Sequence, residues 1–502
     1  MNRILKIIGA VAVINIIARL FGFAREVLIG YQFGTGRMAD SIITAYTVPN
    51  FIYLVIGGAL TTAFISVYNR TEGDRRAFVR ESFTGITAVI GLVTVLLIVF
   101  AGPVLRLLFD GLDESEYALT LRLYLWMMPS AVFLVLSTWL SGLLNVNQKF
   151  HLSSVAILVY NALFFLIPLA FTGIFGPIAY GYGALLAAVA MVAFLFLGLR
   201  RLGGYSFRPK KPSGGEQALL WKMALPIMFG GATLQFYFLI HRIYSSQLGE
   251  GAVAAVNYAS KLTQFPQAIL MTAVTTVIYP LLSKKVGEGD RSAVESLYGR
   301  GLRLLALLLI PAAIYIWFFS GPVTGLVFGR GNFTAESVAL TAPLVRLFGL
   351  SIFFISLNTY ITRFYYAEGN SAVPVLFSVV SVFAVNIAVI KLLIGPLGVG
   401  AVAWGTGVSS AVNSGLLIWY ASRKMGLSIF SRHATGWRLP LVLLLLVPAG
   451  AIAGWLFRGA GDLIAALGGL AVFGVIAVGL MKVFRVKEID LILGRVLKRG
   501  NG

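Results

Sequence analysis

Residues 82–109 read SFTGITAVIGLVTVLLIVFAGPVLRLLF, and the only charge in that run is Arg106. A bilayer's hydrocarbon core is spanned by about 20 apolar residues of helix. Lipid offers no partner to backbone N–H and C=O groups, so a chain crossing it must satisfy them internally, as a helix does. A β-barrel would instead show short segments of alternating polarity, and none is evident. Runs of the same kind recur along the chain at 4–32, 38–68, 117–144, 151–174, 177–200, 217–247, 252–282, 301–328, 337–366, 372–394, 396–421, 437–457 and 462–482. The expected fold is an all-α polytopic membrane protein of about fourteen transmembrane helices.

Composition agrees. Apolar residues make up 58% of the 502 positions and charged residues 12%, and mean hydropathy is +0.88. A soluble domain carries about twice that charge. With no cysteine in the chain, disulfides, thiolate metal sites and cysteine nucleophiles are excluded. The three histidines, His151, His241 and His433, lie far apart, so no metal centre and no cofactor is expected. The first apolar stretch lacks a small-residue cleavage site and runs into further spans, so it reads as a membrane helix and not as a cleaved leader.

The net charge of +21 belongs to loops, and no nucleic-acid partner is expected. Loops alternate along the chain. One set is basic: Arg70, Arg75, Arg76 and Arg80; Arg200, Arg201, Arg208, Lys210 and Lys211; Lys284, Lys285, Arg291 and Arg300; Arg423, Lys424, Arg432 and Arg438; and the tail from Lys482 to Arg499. The other set, 110–116, 175–177, 248–251 and 395–396, is short, and Arg37, Arg330 and Arg458 are the exceptions on that side. Positive charge concentrates in cytoplasmic loops, which puts both termini in the cytoplasm and requires an even number of spans.

The sequence also repeats itself. Phe33-Gly34-Thr35-Gly36, a span, then Gly73-Asp74-Arg75-Arg76-Ala77 is matched by Leu248-Gly249-Glu250-Gly251, a span, then Gly289-Asp290-Arg291-Ser292-Ala293, about 216 residues later. Ile174-Phe175-Gly176-Pro177-Ile178 is matched by Leu393-Ile394-Gly395-Pro396-Leu397, about 219 later. Each repeat holds six spans, an even number, so the two lobes enter the membrane in the same sense and are expected to be related by a pseudo-two-fold axis along the membrane normal. The expected domains are an N-lobe (1–208), a cytoplasmic linker (209–216), a C-lobe (217–424), and two further helices with a basic tail (425–502).

Charge inside a span is expensive: an arginine at mid-bilayer costs ~2.5–3.5 kcal/mol on insertion scales. Arg19 and Arg25 both fall in the first span, ~9 Å apart along the helix and ~120° around it. Arg242 and Lys261 occupy the matching region of the second repeat. Snorkelling to an interface suits Arg25 and Arg242 better than Arg19. Acids for pairing are few: Glu26, Asp40 and Glu368. Asp40 opens the second span and is placed to meet Arg25, whereas Glu26 points ~100° away on the same helix. Arg19 and Lys261 are left without an obvious counter-charge, and cations in a polar cavity suit an anionic, phosphate-bearing substrate. Arg363 reads as an interface anchor, Arg346 stays open, and Phe364-Tyr365-Tyr366 reads as an aromatic belt. Gln235, Gln264, Asn358, Asn386 and Asn413 read as interhelical hydrogen-bonding groups. The acidic cluster Asp110, Asp113, Glu114 and Glu116 reads as a solvated loop and not as an enzyme's carboxylate pair.

The run Ala18-Arg19-Leu20-Phe21-Gly22-Phe23-Ala24-Arg25-Glu26 resembles the signature R-x-x-G-F-x-R-[DE] of the lipid II flippase family MurJ, also called MviN. Phe33-Gly34, Ala39-Asp40 and Val48-Pro49-Asn50 continue the match, as do Phe265-Pro266, Tyr279-Pro280-Leu281-Leu282 and Phe328-Gly329-Arg330-Gly331-Asn332. The resemblance implies the multidrug/oligosaccharidyl-lipid/polysaccharide exporter fold in a monomer of the bacterial inner membrane. It implies translocation of undecaprenyl-pyrophosphate-linked peptidoglycan precursor, lipid II, by a transporter and not an enzyme. It implies that Arg19, Arg25 and Lys261 hold the pyrophosphate, with Glu26, Asp40 and Arg242 in support, and that the last two helices form a groove for the lipid tail. The chain departs from the family at Phe51-Ile52-Tyr53-Leu54 and Gly57-Gly58-Ala59, where several members carry two arginines and a glutamate. Spans seven and eleven also lack the carboxylates of the sodium site described for some members. The alternatives are a flippase of the same fold for another undecaprenyl-linked glycan, or a multidrug antiporter.

Overall fold

The computed structural model describes residues 3–211, 215–427 and 438–486. Arg432, His433, the middle of the expected linker and the basic tail beyond Val486 lie outside these residues. All regular structure among them is helical. Among the described residues, ten stretches are long and apolar enough to cross a membrane. The other four expected spans coincide with helices α1, α10, α11 and α16, whose ranges follow.

The chain divides into two compact units, 1–254 and 255–502. The first contains α1 (Arg3–Phe33), α2 (Arg37–Ile52), a π turn (Tyr53–Gly57) running into α3 (Gly58–Arg70), α4 (Arg75–Val99), α5 (Ala101–Leu108), α6 (Glu114–Met127), α7 (Ser130–Val146), α8 (Phe150–Phe175), α9 (Ile178–Leu202) and α10 (Gly215–Ser246). Here α8 packs on α1 and α9, α2 on α6, and α10 on α3. The expected C-lobe begins at 217, so its first helix packs, in this conformation, within the first compact unit. The end of the expected N-lobe and the first residues of the linker are docked. Phe207 inserts its ring between Phe196 (4.8 Å) and Phe83 (5.5 Å) beside the buried Trp139, and Lys210 Nζ meets the buried Glu81 carboxylate at 2.9 Å.

The second unit holds most of α11 (Ala252–Gly287), then α12 (Arg291–Phe328), α13 (Ala335–Ala367), α14 (Ala372–Val379), a π turn (Val380–Asn386), α15 (Ile387–Leu397), α16 (Gly400–Lys424), α17 (Arg438–Leu456) and α18 (Asp462–Val483). The last two helices pack on α12 through Phe319, Val442, Leu446 and Phe473, and Tyr315 donates its hydroxyl to the Ala466 carbonyl at 2.6 Å. Asn358 bridges α13 to α16, donating to the Ser410 carbonyl (3.1 Å) and accepting from Ser414 Oγ (2.8 Å). The aromatic run at 364–366 is mostly core and not a belt. Phe364 and Tyr365 are buried, Tyr365 donating to the Leu417 carbonyl, and Tyr366 alone is exposed.

The repeated motifs are helix ends. Asp74 caps α4 by accepting the N–H of Arg76 (2.9 Å) and Ala77 (3.2 Å). Asp290 caps α12 by accepting that of Ala293 (3.0 Å). Both are the short acceptors that a helix N-terminus prefers. The third match is out of register. Pro177 directly precedes α9, but Gly395 and Pro396 lie inside α15. The turn that corresponds to Gly176 (φ 57°) is made by Gly398 (φ 51°), so the short Gly-Pro match aligned unlike positions.

Candidate functional site

The expected site starts on α1. Ala18 is buried and Arg19 beside it is exposed. Gly22 lets α1 approach α8, since a Cβ there would stand 3.1 Å from Asn161 Oδ1. One turn further on, Arg25 is enclosed. Its guanidinium lies 4.4 Å from the centre of the Phe164 ring and 5.3 Å from that of Tyr46. The hydroxyls of Tyr46 and Tyr160 share a hydrogen bond of 2.6 Å.

Arg25 does not pair with Asp40. Its Nη2 donates to Glu26 Oε1 at 2.7 Å, and both side chains are largely buried (13% and 6% exposed). Adjacent residues on a helix do not face one another, but the long arginine stem folds back far enough to reach its neighbour. The aromatic enclosure, made by α2 and α8, is what holds it there. Tyr46, Tyr160 and Phe164 went unremarked in the sequence because nothing local marks an aromatic residue as a cation's partner.

Asp40, also buried, serves another helix. Gly251 N–H donates to its Oδ2 and Ala254 N–H to its Oδ1, each at 2.7 Å. It thus caps the start of α11, where orphan amides and the helix dipole both favour a carboxylate. Arg242, buried on α10, donates to the Val253 carbonyl at 3.4 Å. Around this point two loops of the sparsely charged set, 110–116 and 248–251, meet the turn between α1 and α2. Arg37 Nε bonds Glu250 Oε2 at 2.9 Å, and Arg37 Nη1 reaches Asp113 Oδ2 at 3.5 Å and Ser115 Oγ at 3.3 Å. Gln247 donates to Asp110 Oδ1 at 2.7 Å. The amide of Glu116, with the Ser115 hydroxyl and Arg37, holds the Asp113 carboxyl below its ordinary range. The acidic cluster at 110–116 is therefore partly a latch for the α1–α2 and α10–α11 turns. Arg37 and Glu250 were the available signal: opposite charges in two loops assigned to the same side.

Lys261 sits partly buried on α11, in the second unit. Arg19, Arg25, Glu26, Asp40 and Arg242 all belong to the first unit. No cluster of three or more metal-ligating side chains occurs among the described residues. In the second unit an apolar cavity of about 440 Å³ opens between α12, α13 and α17.

The family model described as "Lipid II flippase MurJ" matches residues 29–464. The "Probable lipid II flippase MurJ" of Rhizobium tropici is 28% identical over 415 residues, 79% of this chain and 77% of that protein. The "Lipid II flippase MurJ" of Burkholderia cenocepacia is 28% identical over 433 residues, 82% of each. Among solved structures, a lipid II flippase MurJ in an inward closed conformation superposes with a TM-score of 0.83 at 19% identity, covering 95% of this chain and 99% of that one. An inward-facing multidrug MATE transporter of the MOP superfamily gives 0.69 at 14% identity, covering 82% and 95%. The fold is shared with that MurJ and, more loosely, with that MATE transporter, and the family match across residues 29–464 shows that this chain belongs to the lipid II flippase MurJ family.

Proposed function

We propose that this protein carries undecaprenyl-pyrophosphate-linked peptidoglycan precursor from the inner to the outer leaflet by alternating access, without making or breaking a covalent bond. Membership of the family over residues 29–464 carries the reading, and the basic first helix gives it a chemical handle. In this proposal the chain crosses the inner membrane fourteen times as a monomer, with both termini in the cytoplasm. Two six-helix lobes (1–208 and 217–424) joined at 209–216 rock about the headgroup, and 425–502 supplies the two extra helices and the tail.

Exposed Arg19 is the first contact for the pyrophosphate, with Lys261 contributing from α11. A guanidinium has five N–H donors. Arg25 commits Nη2 to Glu26, and when its aromatic enclosure opens the guanidinium offers phosphate the planar fork that suits it. Glu26 fixes the direction of that fork. Asp40, Arg242 and Arg37 act at the α10–α11 turn, holding shut the side that faces outward in this reading. Opening that side requires Asp40 to release the two α11 amides.

The test replaces Arg19 or Arg25 with alanine, confirms insertion, and measures lipid II in the outer leaflet. Undiminished flipping in either variant removes that residue from the mechanism. Complementation of a strain depleted of its own lipid II flippase separates this substrate from another undecaprenyl-linked glycan.

A further inference from the structure

The cavity between α12, α13 and α17 is lined by Ala313, Trp317 and Phe318 from α12, Leu350 and Phe354 from α13, and Val447 from α17. Its wall is almost wholly apolar, but one end is not. Arg346 sits one turn before Leu350 on α13, is exposed, and lies with its guanidinium 5.5 Å from the centre of the Trp317 ring. Among the described residues no carboxylate pairs with it. The cavity lies just before a break in α12. Phe319 leaves helical geometry (φ −114°, ψ 16°), and Pro322 has no N–H to give the Phe318 carbonyl.

Depth matters here. Helix α13 has 33 residues, about 50 Å at 1.5 Å each, longer than a hydrocarbon core of about 30 Å. Arg346 lies about 7 Å from its midpoint toward Ala335. From there a long basic side chain reaches up toward the headgroup level while the cavity residues lie deeper. A cation at the rim, with an aromatic face beside it and an apolar slot beneath, matches an amphiphile with one anionic phosphate and a hydrocarbon chain. A zwitterionic headgroup carries its own ammonium and gains less. A cavity of about 440 Å³ takes a single acyl chain and is far too small for an undecaprenyl chain.

We infer that this cavity is a binding site for an anionic glycerophospholipid of the surrounding bilayer, its phosphate on Arg346 and one acyl chain between α12, α13 and α17. The site is built wholly from residues of the second unit and does not depend on what the protein transports.

The experiment uses the purified full-length chain and native mass spectrometry. Retention of phosphatidylglycerol is compared with that of phosphatidylcholine bearing the same acyl chains. The wild type is expected to hold the anionic lipid about tenfold more tightly, a difference of about 1.4 kcal/mol. Arg346→Gln should bring the two lipids level. Ala313→Phe, which fills the slot and keeps the charge, should weaken both. If Ala313→Phe loses its melting transition, Leu350→Trp fills the cavity from its exposed rim instead. Equal retention of both lipids by the wild type, or an undiminished preference in Arg346→Gln, overturns the site. So does displacement of phosphatidylglycerol by undecaprenyl phosphate that Ala313→Phe abolishes, since the cavity would then belong to the transported lipid.

Discussion

The carboxylate of Asp40 receives the backbone N–H groups of Gly251 and Ala254, both at 2.7 Å, from a helix that begins more than two hundred residues later. A buried carboxyl group holding two orphan amides is a strong clamp, because a buried donor left without a partner costs about 1–3 kcal/mol.

Asp40→Asn retains one acceptor oxygen and replaces the other with an N–H₂ that cannot accept, so the clamp should weaken and the turn after α10 should open more often. Ser41, wholly buried beside it and bonded to the Glu116 carbonyl, is a convenient reporter. The natural chain has no cysteine, so Ser41→Cys would be the sole thiol. Labelling of that thiol by a membrane-impermeant maleimide should rise severalfold when Asp40→Asn is added. No change would show that the clamp does not control access.

Breaking the Arg25–Glu26 pair from one side strands a buried charge. Glu26→Gln should destabilise the protein by about 3–5 kcal/mol, the usual cost of an orphaned partner in a buried pair, read as a lowered melting temperature. Arg25→Gln with Glu26→Gln should regain much of that stability. Transport should nevertheless stay lost in the double variant, because the pyrophosphate has lost its fork. Recovery of transport together with stability would make the pair purely structural.

At Gly301 a side chain of α13 packs directly on the backbone of α12. Tyr360 donates to the Leu297 carbonyl at 2.8 Å, and its ring occupies the space that a side chain at 301 would need. Gly301→Val should cost about 1–3 kcal/mol by overpacking, while the same change at the open Gly287 position should cost much less. Thermal melts in detergent compare the two.

The capping aspartates predict a pH dependence confined to the loops. Asp290 is held below its ordinary 3.8 by the Ala293 amide and then by Lys285, and Asp113 by the Glu116 amide. A carboxylate with a depressed folded value adds stability above its unfolded value and loses it as pH falls through the folded one. That part of the acid destabilisation should therefore appear below about pH 4. Asp290→Asn keeps a good cap and should flatten it; melting temperatures measured from pH 6 to pH 2 would reveal an unaltered slope if the reading fails.

Much of this was legible because the bilayer imposes a simple rule. The long apolar runs became helices, and the Gly-Asp-Arg motifs that mark the repeat proved to be helix caps at Asp74 and Asp290. Local chemistry alone decides such features. The contacts of Asp40 and Arg25 depend on which helices meet, and a chain of this length offers each buried charge several candidate partners. The Asp40 pairing expected from proximity to span one lost to two amides on α11. The Gly395-Pro396 match failed for a related reason. A short Gly-Pro pair tolerates a three-residue slip, and only the positive φ of Gly398 marks the true turn. The docking of Phe207 among Phe83, Phe196 and Trp139 had no signal in a segment rich in proline and lysine.

The salt bridge on α1 has an electrical consequence. Arg25 and Glu26 are adjacent on one helix and neutralise each other, so when α1 shifts they travel as a dipole of zero net charge. A voltage across the bilayer does about 2.3 kcal/mol of work per elementary charge per 100 mV, and it does almost none on that pair. Of the two signature arginines, Arg19 is the one through which a transmembrane field can pull on this helix.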